Sequence, residues 1–152
     1  MRKTIILLSA KRSGSTALFK CFQKHSEVKI PHSNQKIDNW EIQFWSLAVL
    51  ALKGDFNPLQ ERLKKSFPKI DFKLKSEITE DNIFDIWNRI LDDRGGVVFD
   101  KSPQYLGNNL ALDLLKKYIY SGNNVKIISL MRDPRDTITS QYELWREFTE
   151  KD

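Results

Sequence analysis

The chain alternates short, continuously apolar segments with amphipathic ones, and this alternation limits the folds open to it. Lys3–Ser9 is apolar without a period of two, which is typical of a strand buried on both faces. Val97–Phe99 and Val125–Met131 are segments of the same kind, separated by stretches long enough for helices. Strands that alternate with helices predict a parallel sheet with right-handed crossovers. We therefore expect an α/β fold of three layers, a parallel β-sheet flanked by helices.

The predicted helices have recognisable start and stop signals. The segment 25–37 lacks a strong period and contains Pro31, so it is expected to be a loop or a short strand. Capping residues, prolines at first helical positions and glycines after the last turn define the other boundaries. The predicted helices are Ser15 to about Lys24, Trp40–Lys53 with a capping box of Asp38 and Glu41, Asn57 to about Ser66, a helix capped by Thr79 and stopped at Arg94-Gly95-Gly96, one containing Leu110 and Tyr118, and Pro134 to about Phe148.

Length and composition indicate one folded domain. The 152 residues are 40% hydrophobic and 30% charged, which is ordinary globular usage. We interpret 1–152 as a single domain, with a helical insertion over the sheet at about 38–94. Because only three strands are strongly marked and the last predicted element is a charged helix, the fold is expected to be the N-terminal portion of a larger α/β domain.

Charge and cysteine content restrict the partners and the compartment. The formal net charge is +5, but the 25 Lys and Arg are dispersed, so the charge alone indicates only a nucleotide, a nucleic acid or a polyanion as partner. From the motifs described below, we expect a nucleotide and no nucleic acid. The single Cys21 excludes an intrachain disulfide framework and is typical of a reducing cytoplasm. The first apolar stretch meets Lys11-Arg12 before a signal peptide would be complete, and no run is long enough for a membrane helix. We expect a soluble, cytoplasmic protein without membrane contact.

The decapeptide SAKRSGSTAL follows the first predicted strand and enters the first helix. Backbone N–H groups at a helix start, hydroxyls at Ser13, Ser15 and Thr16, and close approach at Gly14 would form an anion cradle. Arg12 adds a forked cation. The stretch lacks the first glycine and the lysine before Ser/Thr that an ATP-binding P-loop requires. The alternative is structural: the glycine permits a tight turn and Ser15 caps the helix.

A second polar turn, LMRDPRDTITS, also leaves a strand and enters a helix. If Asp133 is the N-cap, Ser140 lies two turns further on the same face, about 10 Å along the axis. Arg132 and Ser140 would then hold one phosphate from two sides. The alternative is an ion-pair cluster of Arg132, Asp133, Arg135 and Asp136 at the helix start, of small energetic value.

These two motifs, in this order, resemble those of the sulfotransferases. Lys-Arg-Ser-Gly-Ser-Thr at 11–16 resembles their 5′-phosphosulfate loop in the form found in carbohydrate and tyrosylprotein members, and Arg132-Asp-Pro-Arg-Asp-x-x-x-Ser140 resembles their 3′-phosphate motif. The resemblance implies a P-loop NTPase-like sulfotransferase fold. It also implies 3′-phosphoadenosine 5′-phosphosulfate (PAPS) as co-substrate, with no metal.

The resemblance assigns roles to individual residues. Asp100-Lys-Ser-Pro-Gln-Tyr105 resembles the family's middle Lys-Ser/Thr-Pro segment, so Lys101 is expected to contact the sulfonate or the acceptor; the alternative is a solvated loop lysine. Arg12 matches the catalytic cation. The implied cofactor-binding residues are Lys11, Arg12, Ser13, Gly14, Ser15 and Thr16 for the 5′-phosphosulfate, and Arg132 and Ser140 for the 3′-phosphate.

A general base should take the acceptor's proton, and family members use a Glu or a His for this. We assign His32, which lies in the loop after the first helix, because histidine is the side chain whose ordinary pKa is nearest neutrality. The position where tyrosylprotein members carry their Glu is Ser33 here. His25 and Glu27 remain alternatives, as does a non-catalytic His32.

The sequence thus predicts a PAPS-dependent sulfotransferase that acts on a hydroxyl or amine of a glycan, a peptide tyrosine or a small molecule. A P-loop nucleotide kinase is the first alternative; it needs a Walker lysine and a carboxylate for Mg²⁺, which the sequence does not clearly offer. The second is a truncated nucleotide-binding remnant without activity, or a basic interaction module.

Overall fold

The computed structural model describes residues 2–31, 41–72, 74 and 77–149, with side chains up to 146. Within that part of the chain, no helix is long and apolar enough to cross a membrane. The strands are β1 (Lys3–Ser9), β2 (Val28–Lys29), β3 (Val97–Lys101) and β4 (Val125–Leu130); the helices are α1 (Ser15–Gln23), α2 (Phe44–Leu52), α3 (Asn57–Ser66), α4 (Glu80–Arg94), α5 (Asn109–Tyr120) and α6 (Pro134–Thr149), with a 3-10 turn at Tyr105–Gly107.

The four strands form one parallel sheet in the order β2-β3-β1-β4. Alternate residues of β1 enter different cores: Ile6 belongs to the larger cluster and Leu7 to the smaller one. Phe19 of α1 packs in the smaller cluster, whereas α2, α3, α4 and α5 contribute to the larger. Helices therefore cover both faces, and the predicted three-layer α/β fold with a parallel sheet is confirmed. The two-residue β2 lies in the segment expected to be a loop or a short strand.

The larger core is built from aromatic side chains. Trp45 and Trp87 are fully buried, with ring centroids 5.5 Å apart, and Tyr118 lies 5.2 Å from Trp45. Thr79 caps α4 through a capping box with Asn82, as the sequence predicts. The apolar residues of α4 recur at helical spacing and are all buried: Ile83, Ile86, Trp87, Ile90 and Leu91. This core fixes α2, α4 and α5 against the sheet.

The start of α2 differs from the prediction. A helix over 40–53 with a capping box of Asp38 and Glu41 was expected, but the helix begins at Phe44. Gln43 precedes it with φ 56°, in the left-handed region. Asp38 lies outside the described residues. Glu41 stays out of the helix because tertiary contacts, described below, hold both its carboxylate and its carbonyl.

The side of the molecule formed by β4 and α6 exposes apolar side chains. Ile127 on β4 is 43% exposed and Met131 is 88% exposed. On α6, Ile138, Tyr142 and Trp145 are exposed as well. Polar groups of α6 and of the turn before it contact the turn after β1.

Candidate functional site

A cavity of about 660 Å³ opens where β1, β3 and β4 end. In parallel α/β sheets, ligands bind at this edge, outside the carboxyl ends of the strands. The turn after β1, the end of β3 and the turn after β4 each contribute to its wall. The cavity therefore brings together residues of SAKRSGSTAL, of Asp100–Tyr105 and of LMRDPRDTITS. We call it the donor cavity.

The turn after β1 presents the N-terminus of α1 to the donor cavity. Gly14 is the N-cap, with φ 91°, a conformation that glycine adopts without strain. Ser15 is therefore the first helical residue and not the cap. Within the described chain, the intrahelical bonds begin with the Ala17 N–H, which donates to the Gly14 carbonyl at 3.0 Å. Gly14, Ser15 and Thr16 all line the cavity, so this helix start is available to an anion.

Ser13 has a structural position in the same turn. Its hydroxyl donates to the Ala10 carbonyl at 2.7 Å, and the residue is 6% exposed. It is absent from the described wall of the cavity, whereas Lys11 and Arg12 belong to that wall. The conformation of Arg12, with φ 64°, and that of Gly14 turn the Ser13 side chain inward. Ser13 thus holds the turn together.

The two predicted anion-binding turns touch each other. The Arg12 Nε donates to the Ser140 Oγ at 2.9 Å, and the Arg132 Nη1 donates to the Arg12 carbonyl at 3.2 Å. The Gln141 side chain donates to the Lys11 carbonyl at 3.5 Å. Arg132 and Ser140 both line the donor cavity, so motifs about 120 residues apart in sequence form one site.

The second turn also contains the ion pairs of the structural alternative. Asp133 caps α6: its Oδ1 accepts from the Arg135 N–H at 2.8 Å, and its carbonyl accepts from the Thr137 N–H. The Arg135 guanidinium beside Asp133 lowers the pKa of that carboxyl. Arg132 lies 3.7 Å from Asp136. Because Arg132 also faces the cavity, the ion-pair cluster and a ligand-binding role are compatible.

Lys101 is not the solvated loop lysine of the alternative interpretation. Its side chain is only 4% exposed at the end of β3. Its Nζ lies 2.8 Å from the Glu41 Oε1 and 3.4 Å from the Thr16 Oγ1, and 5.8 Å from the centre of the Phe19 ring. The ammonium group is therefore fixed in the wall of the donor cavity by the carboxylate of Glu41, for which the sequence predicts a role in a helix cap.

A buried acid supports the end of β3. Asp100 is 1% exposed, and the Tyr105 hydroxyl donates to its Oδ2 at 2.8 Å. Burial raises the pKa of Asp100 to about 7, although the hydrogen bond from Tyr105 acts in the opposite direction. The charge of Glu41 adds to the increase. Burial and the neighbouring Asp100 raise the pKa of Tyr105 well above its usual value.

The donor cavity is strongly basic. Glu41 is the one carboxylate in its described wall, against five basic side chains. Such an excess of positive charge attracts a ligand with several negative charges. Sequence reasoning did not single out Lys20, although it lies one helical turn after Thr16 on α1 and helical spacing could have identified it. The five basic residues are Lys11, Arg12, Lys20, Lys101 and Arg132.

The predicted general base cannot be located, because His32 and Ser33 lie outside the described residues. Both alternatives are away from the donor cavity. His25 follows the C-terminal end of α1, the end opposite to the cavity, and its Nδ1 accepts from the Glu27 N–H at 3.3 Å. The structure therefore does not bring His25 or Glu27 to the predicted reaction site.

Comparison with known proteins gives one family and one fold. The model described as "Sulfotransferase family" matches residues 4–151. Among solved structures, the sulfotransferase domain of the olefin synthase from Synechococcus PCC 7002 is similar, with a TM-score of 0.53 and 23% identity. That similarity covers 93% of this chain and 52% of the other, so this chain spans about half the length of that structure. No curated protein sequence matches the present chain.

Proposed function

The chain belongs to the sulfotransferase family, and we propose that it transfers a sulfuryl group from PAPS to a hydroxyl or amine of an acceptor. One observation carries this proposal: the turns after β1 and β4 line the same cavity and are joined by the Arg12–Ser140 hydrogen bond of 2.9 Å. A nucleotide with phosphate groups at both ends of its ribose requires two anion sites at a fixed separation. The five basic side chains around the cavity match its charge.

The 5′-phosphosulfate would bind at the start of α1. The N–H groups of Ser15 and Thr16 precede the first intrahelical bond, and the positive end of the helix dipole favours an anion there. Lys11 and Arg12 supply charge, and Gly14 leaves open space in which a Cβ would meet no atom. Ser13 would act indirectly by holding the turn in shape.

The 3′-phosphate would bind between Arg132 and Ser140. Both line the donor cavity, and the Arg132 side chain is 42% exposed, so a ligand can reach it. In the structure, the Ser140 hydroxyl accepts from Arg12 and keeps its own proton available for donation to a phosphate oxygen. Arg132 would add a charge-assisted hydrogen bond.

The chemical step is an in-line displacement at sulfur. As the bond to sulfur breaks, negative charge grows on the oxygen that bridges to the 5′-phosphate, and Arg12 would neutralise it. Lys101, held by Glu41 at 2.8 Å, would face the sulfuryl oxygens. The base assigned from the sequence, His32, stays a prediction. Because the chain spans about half of the matched structure, nucleotide binding without turnover is the second candidate function.

Calorimetric titration separates these possibilities. We expect 3′-phosphoadenosine 5′-phosphate (PAP) to bind at least about tenfold more tightly than AMP, because only PAP reaches both turns. Transfer of ³⁵S from labelled PAPS then distinguishes an active enzyme from a binding remnant. Equal affinities for PAP and AMP would contradict the proposal. A preference for ATP with Mg²⁺ would contradict it as well and would favour a nucleotide kinase.

A further inference from the structure

Buried polar contacts connect the end of β3 to the start of α2. The Tyr105 hydroxyl donates to the Asp100 Oδ2 at 2.8 Å, and both residues are 1% exposed. The Tyr105 hydroxyl oxygen in turn accepts from the backbone N–H of Trp45, the second residue of α2. Asp100 and Tyr105 therefore link β3 and the 3-10 turn to the N-terminus of α2.

The start of α2 depends on this contact for one of its hydrogen bonds. Among the described residues, the N-cap Gln43 makes no side-chain capping bond. The Leu47 N–H makes the first intrahelical bond, to the Gln43 carbonyl at 3.0 Å. The Trp45 N–H comes before that bond in a fully buried residue, so it needs a partner from outside the helix. Tyr105 supplies that partner.

The contacts return to β3 through Lys101. Glu41 lies two residues before the N-cap of α2, and its Oε1 is 2.8 Å from the Lys101 Nζ. The Arg62 Nη1 of α3 donates to the Glu41 carbonyl at 2.8 Å and holds its backbone in place. Because Lys101 directly follows Asp100 in β3, these contacts form a closed ring. The direction of the Lys101 side chain therefore depends on the position of the start of α2.

A structural role alone does not account for an acid at position 100. Burial raises the pKa of Asp100 to about 7, against hydrogen bonds from Tyr105 and from the Lys101 backbone, and the charge of Glu41 adds to the increase. A carboxyl group whose pKa is raised lowers the stability of the fold near neutral pH. Asparagine accepts the same hydrogen bond without that loss. Residues that reduce stability in this way are concentrated at functional sites.

We propose that Asp100 and Tyr105 are positioning residues for Lys101: they hold the start of α2, and with it Glu41, so that the Lys101 ammonium group faces the sulfuryl group of the bound donor. This inference rests on the proposed function, in which PAPS occupies the donor cavity. Neither Asp100 nor Tyr105 belongs to the described wall of that cavity. Both residues therefore act through Lys101 and do not touch the ligand.

Ionisation of Asp100 should change the electrostatic field at Lys101. The groups that act on Asp100 are Tyr105 from the 3-10 turn, Glu41 from the segment before α2 and Lys101 from β3. An ionised Asp100 adds a second negative charge beside the Glu41–Lys101 pair and weakens the attraction between Lys101 and the sulfuryl oxygens. Affinity for the sulfuryl group should therefore fall as pH rises through about 7.

The ratio of the affinities for PAPS and PAP, measured by calorimetry, tests the positioning role without turnover, because only PAPS carries the sulfuryl group. Lys101→Met should lower this ratio, and Tyr105→Phe should lower it by about two- to tenfold, as expected for one hydrogen bond. Tyr118→Phe is the matched control and should leave the ratio unchanged. Tyr118 is also 1% exposed, and its hydroxyl donates at 2.7 Å to Asn88, outside the described wall of the donor cavity.

Two variants of Asp100 separate its hydrogen bond from its charge. Asp100→Leu removes the acceptor for Tyr105 and should lower the ratio as Tyr105→Phe does. Asp100→Asn keeps an acceptor and should recover most of that loss. Between pH 6 and 8.5, the PAPS affinity of the unchanged chain should fall about two- to fivefold relative to that of Asp100→Asn. Titration of the nucleotide itself is common to both chains and cancels.

Equal losses in Tyr105→Phe and Tyr118→Phe, or losses of the same size for PAPS and PAP, would assign Asp100 and Tyr105 to the fold alone and overturn the inference. An unchanged ratio in Lys101→Met overturns it as well, while PAP binding leaves the donor site of the proposed function intact. The same pH dependence in the unchanged chain and in Asp100→Asn overturns the effect of the Asp100 charge on Lys101. Failure of PAP to bind the unchanged chain overturns both the inference and the proposed function.

Discussion

The two turns that line the donor cavity carry similar motifs but are embedded in the molecule differently. The turn after β1 leads into α1, whose Phe19 is 4% exposed and lies 6.1 Å from the Phe99 ring. The turn after β4 leads into α6, where the exposed fractions of Ile138, Tyr142 and Trp145 are 66%, 58% and 60%. The first turn is thus anchored in a core, whereas the second lies on the surface.

Polar contacts with the first turn hold the second in place. Ser140 accepts from Arg12, and Arg132 and Gln141 donate to carbonyl groups of residues 11 and 12. The proposed 3′-phosphate site therefore depends on the geometry of the proposed 5′-phosphate site. A ligand that binds both turns should stabilise α6 in particular, because it binds the docked form of that helix.

The largest expected contrast is between the apolar anchors of the two turns. Phe19→Ala should lower the free energy of unfolding by about 3–5 kcal/mol, because it leaves a cavity in the smaller core. Tyr142→Ala, on the exposed face of α6, should change it by about 0.5 kcal/mol or less. Urea unfolding followed by tryptophan fluorescence measures both. A comparable loss in the two variants would show that α6 is anchored as firmly as α1.

The next contrast is in the pH dependence of two aspartates. Burial raises the pKa of Asp100 from 3.8 to about 7, so above pH 4 the unfolded state ionises first and the folded state retains its proton. Stability should therefore fall as pH rises from about 4 to 7, by an amount on the order of 4 kcal/mol. Asp100→Asn should remove this slope while the side chain still accepts from Tyr105.

Asp133 at the second turn should behave in the opposite way. The Arg135 side chain lowers its pKa, so its contribution is present above the unfolded pKa and is lost as pH falls through the folded value. The effect should be small, because the pair is exposed to solvent. Urea unfolding between about pH 2 and 8 checks both residues, Asp133 at the acid end of this range and Asp100 between about pH 4 and 7. An unchanged slope in Asp100→Asn would mean that Asp100 is ionised in the folded protein.

The smallest contrast concerns the hydrogen bond between the turns. Arg12→Ala should reduce the hydrogen-exchange protection of amides in the first turns of α6 by about two- to tenfold, as expected for one hydrogen bond. Ser140→Ala should have a similar effect, since it removes the acceptor of the same bond. Arg2→Ala, which breaks an exposed pair with Asp92 at 2.6 Å, serves as the control. Unchanged protection in Ser140→Ala would indicate that α6 is held by other contacts.

The features that the sequence predicted correctly depend on local patterns. The apolar runs of β1, β3 and β4 and the helical period of α4 each lie within one segment, and the structure confirms them. The arrangement of both turns at one edge follows from the parallel topology. The two-residue β2 has no such pattern, because its pairing with β3 is set by the sheet and not by its own residues.

The rest depends on contacts between distant residues. Glu41 and Asp38 fit a capping box, but Glu41 pairs with Lys101, sixty positions away, and the local signal was overridden. The same contact makes Lys101 a buried cation. Ser13 could not be told from Ser15 by sequence, because the inward direction of its hydroxyl follows from the backbone conformations of its neighbours.

The central claim is that the turns after β1 and β4 bind opposite ends of one nucleotide. A thermodynamic cycle tests it most directly: calorimetric affinities of PAP and AMP for the unchanged chain and for Arg132→Ala. We expect removal of the 3′-phosphate to weaken binding to the unchanged chain by about 1.5–3 kcal/mol, and to have little further effect in Arg132→Ala. Equal losses of affinity for PAP and AMP in the variant would contradict the claim.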